Sequence, residues 1–168
     1  MSDLFTLAWQ YSAGLVMPED LPMAAADLLA AGVGAESSAL CELAGRRGYG
    51  ESSAELKELL WQAMAELGLP VPDDDVVLRS LLHHTAAGLT SGEITPEEAF
   101  GRLYCGFEID LTEAERGFLA VADQNCCPGC LRVWPSAVRQ KWGEELRAAA
   151  AEVVSTSDHA FAVSRYRG

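Results

Sequence analysis

The sequence lacks any apolar segment that approaches the roughly 20 residues needed to cross a bilayer, so no membrane-spanning helix is predicted. Its first residues place no basic segment ahead of an apolar one, and a secretory signal peptide is not expected. Basic residues are scarce: the chain has 12 lysines and arginines and 25 aspartates and glutamates, which gives a net charge of −13. A negative surface repels phosphate groups, so we expect neither nucleic-acid nor anionic-membrane binding.

The short motifs of the common enzyme classes are also missing. The sequence has no phosphate-binding G-x-x-x-x-G-K-S/T, no dinucleotide-binding G-x-G-x-x-G, no nucleophile-elbow G-x-S-x-G and no zinc-protease H-E-x-x-H. Helical E-x-x-H pairs, which would indicate a di-metal carboxylate centre, do not occur either. The sequence therefore favours a non-catalytic role, and no catalytic residue is predicted.

Helix signals dominate what is present. Ser52 and Glu55 have the spacing of a capping box, as do Thr95 and Glu98, and Gly68 is placed to end a helix. Alternating strand patterns and Asn-Gly or Asp-Gly hairpin turns are absent. Apolar residues recur at helical spacing, which predicts helices near residues 3–14, 22–31, 37–44, 52–67, 73–89, 95–107, 110–123 and 136–154.

The predicted fold is all-α, in a single compact bundle of about six to eight mostly antiparallel helices joined by short connections. One helical domain is expected over residues 1–154, because a chain of this length fits one domain. Residues 155–168 are expected to form a loosely held C-terminal tail.

Three segments resemble a group of small all-helical bacterial proteins of unknown function. They are the sequences from Ser38 to Gly45, from Ala65 to Pro70 and from Gly92 to Ala99. The resemblance covers about residues 20–120 and implies a helical fold. It transfers no catalytic residue, and the cysteine-rich segment after Asn125 departs from that group.

The five cysteines are an odd number in a chain long enough to have a core, which suits a reducing, cytoplasmic location better than a disulfide framework. The local sequence Cys-Cys-Pro-Gly-Cys predicts a type II turn that brings Cys127 and Cys130 close together. Their spacing is that of half a zinc site. Such a site would draw on Cys105, Cys126, Cys127 and Cys130.

Histidines are the alternative ligands for the second half of that site, namely His83, His84 and His159. Of the adjacent pair, His83 is predicted to be solvated and His84 to be partly buried. The same Cys-x-x-C spacing is compatible with thiol redox chemistry, although no strand-helix-strand pattern surrounds it. Metal binding and redox chemistry therefore remain alternatives for this segment.

Charge is distributed unevenly along the chain. Residues 1–75 carry 13 acidic and 3 basic side chains, whereas residues 76–168 carry 12 and 9. Such asymmetry suits an immunity- or adaptor-like protein whose acidic part binds a basic protein partner. We select Glu55, Glu58 and Glu66 as candidate partner-binding residues. A metal-binding or thiol-redox protein using the segment from Cys126 to Cys130 is the alternative.

Overall fold

The structure is a computed structural model that describes residues 3–104, 109–124 and 127–156. Within these ranges 71% of the residues are helical and no strand is present, which confirms the all-α class. Nine α-helices lie in the described part, and a short 3-10 helix, Pro18–Asp20, precedes the second. The helices are α1 Leu4–Ser12, α2 Leu21–Ala30, α3 Ser38–Ala44, α4 Ser53–Glu66, α5 Asp74–Ser91, α6 Pro96–Leu103, α7 Glu113–Ala122, α8 Pro128–Arg132 and α9 Ser136–Thr156.

The chain divides into two compact units, Met1–Val77 (unit 1) and Leu78–Gly168 (unit 2), a division that the sequence analysis does not make. Helix α5 contributes its first residues to unit 1 and the rest to unit 2. The prediction of one domain over 1–154 with a tail over 155–168 stays a prediction. Helix α9 continues through Thr156, and residues 157–168 lie outside the described residues.

Unit 1 is built on α1 to α4. Helix α3 packs against both α2 and α4, and α1 packs against α2 and α4. Leucines fill the interior, with Leu21, Leu40, Leu43 and Leu60 fully buried. Burying each such side chain contributes about 1.5–3 kcal/mol to folding.

Unit 2 has a core that is richer in aromatic residues. Helix α7 packs against α9, while α6 contacts α7, α8 and α9. Phe100 and Phe118 are almost completely buried, and Trp142 meets Phe100 edge to face with ring centroids 6.1 Å apart. The Trp142 indole Nε1–H donates to the Val121 carbonyl oxygen at 3.0 Å, so its polar atom is satisfied inside the core.

Several predicted helix ends are confirmed by hydrogen bonds. The Thr95 hydroxyl accepts from the Glu98 amide and the Glu98 carboxylate accepts from the Thr95 amide, which completes the predicted capping box. Gly68 follows α4 with φ +66°, and the Leu69 amide donates to the Met64 carbonyl. Ser52 is the N-cap of α4 as predicted, but its side chain makes no capping hydrogen bond.

Candidate functional site

A buried carboxylate, Glu115, is the most conspicuous polar feature of unit 2. Helix α7 starts with a capping box in which the Thr112 hydroxyl accepts from the Glu115 amide and the Glu115 carboxylate accepts from the Thr112 amide at 2.7 Å. The Glu115 side chain is only 2% exposed. A charge this deeply buried requires several donors around it.

Those donors come from α5, where Arg79 and His83 lie one helical turn apart. The Arg79 Nη1 donates to both Glu115 oxygens at 3.0 and 3.1 Å, and the His83 Nε2 lies 2.7 Å from Oε1. Since an ionised carboxylate only accepts, Nε2 carries the proton in this contact. The Arg79 Nη2 also donates to the Asp110 carbonyl oxygen. This pairing differs from the prediction that His83 is solvated.

The balance of interactions keeps Glu115 ionised at neutral pH. Desolvation acts to raise its pKa, but the hydrogen bond from the Thr112 amide, the contact with His83 and the charge of Arg79 together outweigh that effect. The pKa of Glu115 therefore lies below its ordinary value. All the strong acceptor positions of this carboxylate face donors from the protein, which leaves it poorly suited to act as a general base.

A pocket of about 230 Å³ adjoins this network. Its lining includes Arg79, His83, Thr112 and Glu115, together with Val153 and Thr156 from α9. Arg79, His83 and Glu115 on its wall bind one another, and Glu113, which also lines the pocket, is exposed. The contacts of Glu115 with Arg79 and His83 therefore serve first to join α5 to the start of α7.

In unit 1, the Glu66 carboxylate ties the end of α4 to the start of α3. It accepts from the Ala39 amide at 3.0 Å and from the hydroxyls of Ser37 and Ser38 at 2.7 and 3.1 Å. The Gln62 side-chain amide donates to it as well, at 3.0 Å. Glu66 was selected from the sequence as a partner-binding residue. Because its carboxylate is engaged within unit 1, we leave it out of the partner face proposed below.

These hydrogen bonds, first that from the Ala39 amide and then that from Ser37, lower the pKa of Glu66 from 4.5 to about 2. A carboxylate with a lowered pKa in the folded state stabilises the fold above its unfolded-state pKa. That contribution disappears as the pH falls from about 4.5 to about 2.

Replacing Glu66 with Gln should therefore destabilise the protein at neutral pH and have less effect in acid. We expect the difference in urea midpoint between wild type and Glu66→Gln to be smaller at pH 3 than at pH 7, because pH 3 lies inside the window from about 4.5 to about 2. Glu58→Gln is the matched control, because Glu58 is exposed on the same helix. Equal pH dependence of the two variants would contradict the assignment.

The other two residues selected for partner binding, Glu55 and Glu58, are exposed on α4. Glu55 lies 4.0 Å from Arg46, which also pairs with Glu42 at 2.6 Å and with Glu51 at 3.5 Å. The nearest charge of opposite sign to Glu55 is thus shared among three carboxylates. Glu55 and Glu58 remain accessible to a partner.

The cysteine segment has a different backbone from the one predicted. Cys127 is the N-cap of α8, with extended backbone angles, and Pro128 is at the first turn. Gly129 lacks the positive φ that the third residue of a type II turn requires, so the predicted turn was wrong. Proline fits the first position of a helix as well as a turn, and the helix formed. The predicted proximity is confirmed, with the two sulfurs 3.4 Å apart.

The other proposed zinc ligands, Cys105 and Cys126, lie outside the described residues, as does the alternative ligand His159. Within the residues that the structure describes, no group of three or more His, Cys, Asp or Glu side chains could hold a metal ion. The zinc site that would combine Cys105 and Cys126 with Cys127 and Cys130 therefore stays a prediction.

Glu115 and Arg79 were not among the candidate functional residues predicted from the sequence. The spacing from Thr112 to Glu115 is that of a capping box and would have identified the start of α7. No local pattern, however, indicates that Arg79, 36 positions away, supplies the counter-charge. The pairing of these two residues follows from the fold, which brings the Arg79 side chain of α5 to the first turn of α7.

Comparison with known proteins found no match among protein-family models, curated proteins or solved structures. The charge and contacts of the chain itself are thus the basis for proposing a function. In the part of the chain that the structure describes, no helix is both long and apolar enough to cross a membrane.

Proposed function

We propose that this chain is a non-catalytic interaction protein, of the immunity or adaptor kind, in which unit 1 binds a basic protein partner. The proposal rests on one observation: the most acidic segment of the sequence has nearly the same bounds as unit 1. Unit 1 extends two residues beyond the acidic segment 1–75, and residues 76 and 77 are uncharged valines. Unit 1 therefore has the same 13 acidic and 3 basic side chains as that segment. Unit 2 has 12 acidic and 9 basic side chains.

The side chains of unit 1 add to this argument. Arg46 is engaged by Glu42 and Glu51, and the Arg47 amide donates to the Glu51 carboxylate. The remaining carboxylates of unit 1 are in large excess over its other two basic side chains, Arg47 and Lys57. The exposed acidic side chains of unit 1 include Glu19, Asp20, Asp27, Glu36, Glu58, Asp74 and Asp75.

Helix α4 supplies the part of this surface that can be tested most directly. Glu55 and Glu58 are three residues apart, so they lie on neighbouring positions of one helix face. Both glutamates are exposed, whereas Leu56, Leu59 and Leu60 of the same helix are buried. Charge can therefore be changed on this face without disturbing the core. Fields of this kind accelerate the encounter with an oppositely charged protein.

Reversing both charges, in the double variant Glu55→Lys and Glu58→Lys, should weaken binding of a lysine-rich peptide used as the probe. We expect roughly a ten-fold loss of affinity, about 1.4 kcal/mol. Binding to the wild type should also weaken as salt is raised, because salt screens exposed charges. Biolayer interferometry at two salt concentrations measures both effects, and the thermal midpoint should change little.

The matched control places the same two reversals in unit 2, as Glu144→Lys and Glu152→Lys on α9, where both residues are exposed. The two double variants have the same net charge. If both lose affinity equally, binding reflects net charge alone and the α4 face has no special role. Binding that is indifferent to salt would likewise refute the proposal.

A further inference from the structure

Two cysteine sulfurs lie close together at the start of α8. Cys127 caps the helix, and Cys130 lies one turn further along. Their Sγ atoms are 3.4 Å apart, and the Cys130 amide donates to the Cys127 sulfur, also at 3.4 Å. Both residues are partly exposed, so reagents in solution can reach them.

The backbone places Cys127 and Cys130 within one turn. The Cys130 amide donates to the Cys127 carbonyl oxygen at 3.1 Å, which holds the two residues in one turn. A disulfide has a sulfur–sulfur distance of about 2.05 Å, so the two atoms need to approach by about 1.4 Å. Rotation of the two side chains can supply a movement of this size without unwinding α8.

We propose that Cys127 and Cys130 form a reversible disulfide, so that this chain carries a redox-active dithiol that exchanges with small disulfides such as oxidised glutathione. The inference does not depend on the acidic surface of unit 1. It concerns only unit 2, and a failure of either proposal leaves the other standing.

The exchange proceeds in two balanced steps. The thiolate of one cysteine attacks a sulfur of the small disulfide, which forms a mixed disulfide and releases one small thiolate. The thiolate of the second cysteine then attacks the protein sulfur of that mixed disulfide, forms the Cys127–Cys130 bond and releases a second small thiolate. The dithiol loses two electrons and two protons, and the small disulfide is reduced to two thiols.

Unit 2 contains a built-in reporter for this reaction. Leu131, next to Cys130, is 3% exposed and belongs to the core of unit 2. The Trp134 amide donates to the Leu131 carbonyl oxygen at 3.3 Å, and the Trp134 ring meets that of Trp142 edge to face. Formation of the disulfide changes the turn that contains Leu131, which is hydrogen-bonded to Trp134, and Trp134 in turn contacts Trp142. Tryptophan fluorescence should therefore change on oxidation.

The test equilibrates the reduced, full-length protein with mixtures of reduced and oxidised glutathione. After acid quenching and alkylation, peptide mass spectrometry maps the disulfides. We expect the loss of two alkylatable thiols per chain, a single Cys127–Cys130 bond and full recovery of both thiols with dithiothreitol. Cys130→Ser should lose this reaction, whereas Cys41→Ser, a change at an exposed cysteine of unit 1, should retain it.

Cys126→Ser distinguishes the proposed pair from a bond made by the neighbouring thiol, and it should oxidise like the wild type. The proposal is overturned if the bond maps to Cys105 or Cys126, or if only a stable mixed disulfide with glutathione accumulates. It is also overturned if the purified protein holds zinc on these thiols and resists oxidation until the metal is removed. Because the mapping uses the wild type, a poorly folded serine variant does not prevent a decision.

Discussion

Replacing Leu60 with proline is expected to unfold unit 1. Leu60 lies in the middle of α4 and is completely buried. Proline there removes a helical hydrogen bond and collides with the preceding turn, at a cost of about 3 kcal/mol or more. Loss of the buried leucine adds about 2–5 kcal/mol. The sum is comparable with the entire stability of a typical domain, about 5–15 kcal/mol.

Far-UV circular dichroism and urea unfolding measure this effect, as a large loss of helical signal together with loss of the cooperative transition. Ser53→Pro is the matched control, because Ser53 is the first residue of α4 and proline is well tolerated there. The preceding residue, Ser52, already has the extended backbone that proline favours before it. A Leu60→Pro protein as helical and as stable as Ser53→Pro would refute the position of α4 in the core.

Removing the buried carboxylate with Glu115→Ala is expected to cost about 3 kcal/mol of stability. Breaking a buried ion pair typically costs about 3–5 kcal/mol, because the remaining charge loses its partner. The lower end applies here, since the Arg79 side chain is 26% exposed and water can replace part of the interaction. The variant also loses the half of the capping box in which the Glu115 carboxylate accepts from the Thr112 amide.

Glu113→Ala is the matched control, since Glu113 is an exposed glutamate in the first turn of the same helix. It should lose only about 0.3–1 kcal/mol, its favourable interaction with the helix dipole. Urea unfolding at neutral pH compares the two variants. The excess loss in Glu115→Ala should diminish as the pH falls below the ordinary glutamate value of 4.5 and through the lowered pKa of Glu115. Equal losses would show that the network with Arg79 and His83 contributes little.

Helix positions were predictable from the sequence because the signals are local. The Thr95 and Glu98 pair lies within one turn, and its hydrogen bonds form as the spacing indicates. Gly68 ends α4 because glycine alone adopts a positive φ without strain. Ser52 and Glu55 show the limit of such patterns. Ser52 is the N-cap, but the Glu55 side chain lies near Arg46 and does not complete a box.

The polar networks were not predictable, because they join residues far apart in sequence. Glu66 accepts from Ser37 across 29 positions, and Glu115 accepts from Arg79 across 36. In the sequence each is a glutamate on a helix rich in polar residues, where the usual prediction is a solvated side chain. Packing brought these distant donors to the Glu66 and Glu115 carboxylates, and they contribute to the lowered pKa values of both.

The sequence by itself determined the all-α class, most helix ends and the concentration of negative charge before residue 78, since composition, periodicity and capping act within a few residues. It also determined that Cys127 and Cys130 lie close together. Residues three positions apart are close in space both in a type II turn and in a helix. Only the tertiary structure decided that this turn is helical, that the chain forms two units, and that the Glu66 and Glu115 carboxylates accept hydrogen bonds from residues far away in the sequence. Those outcomes depend on which helices pack together, and packing brings together residues that no local pattern connects.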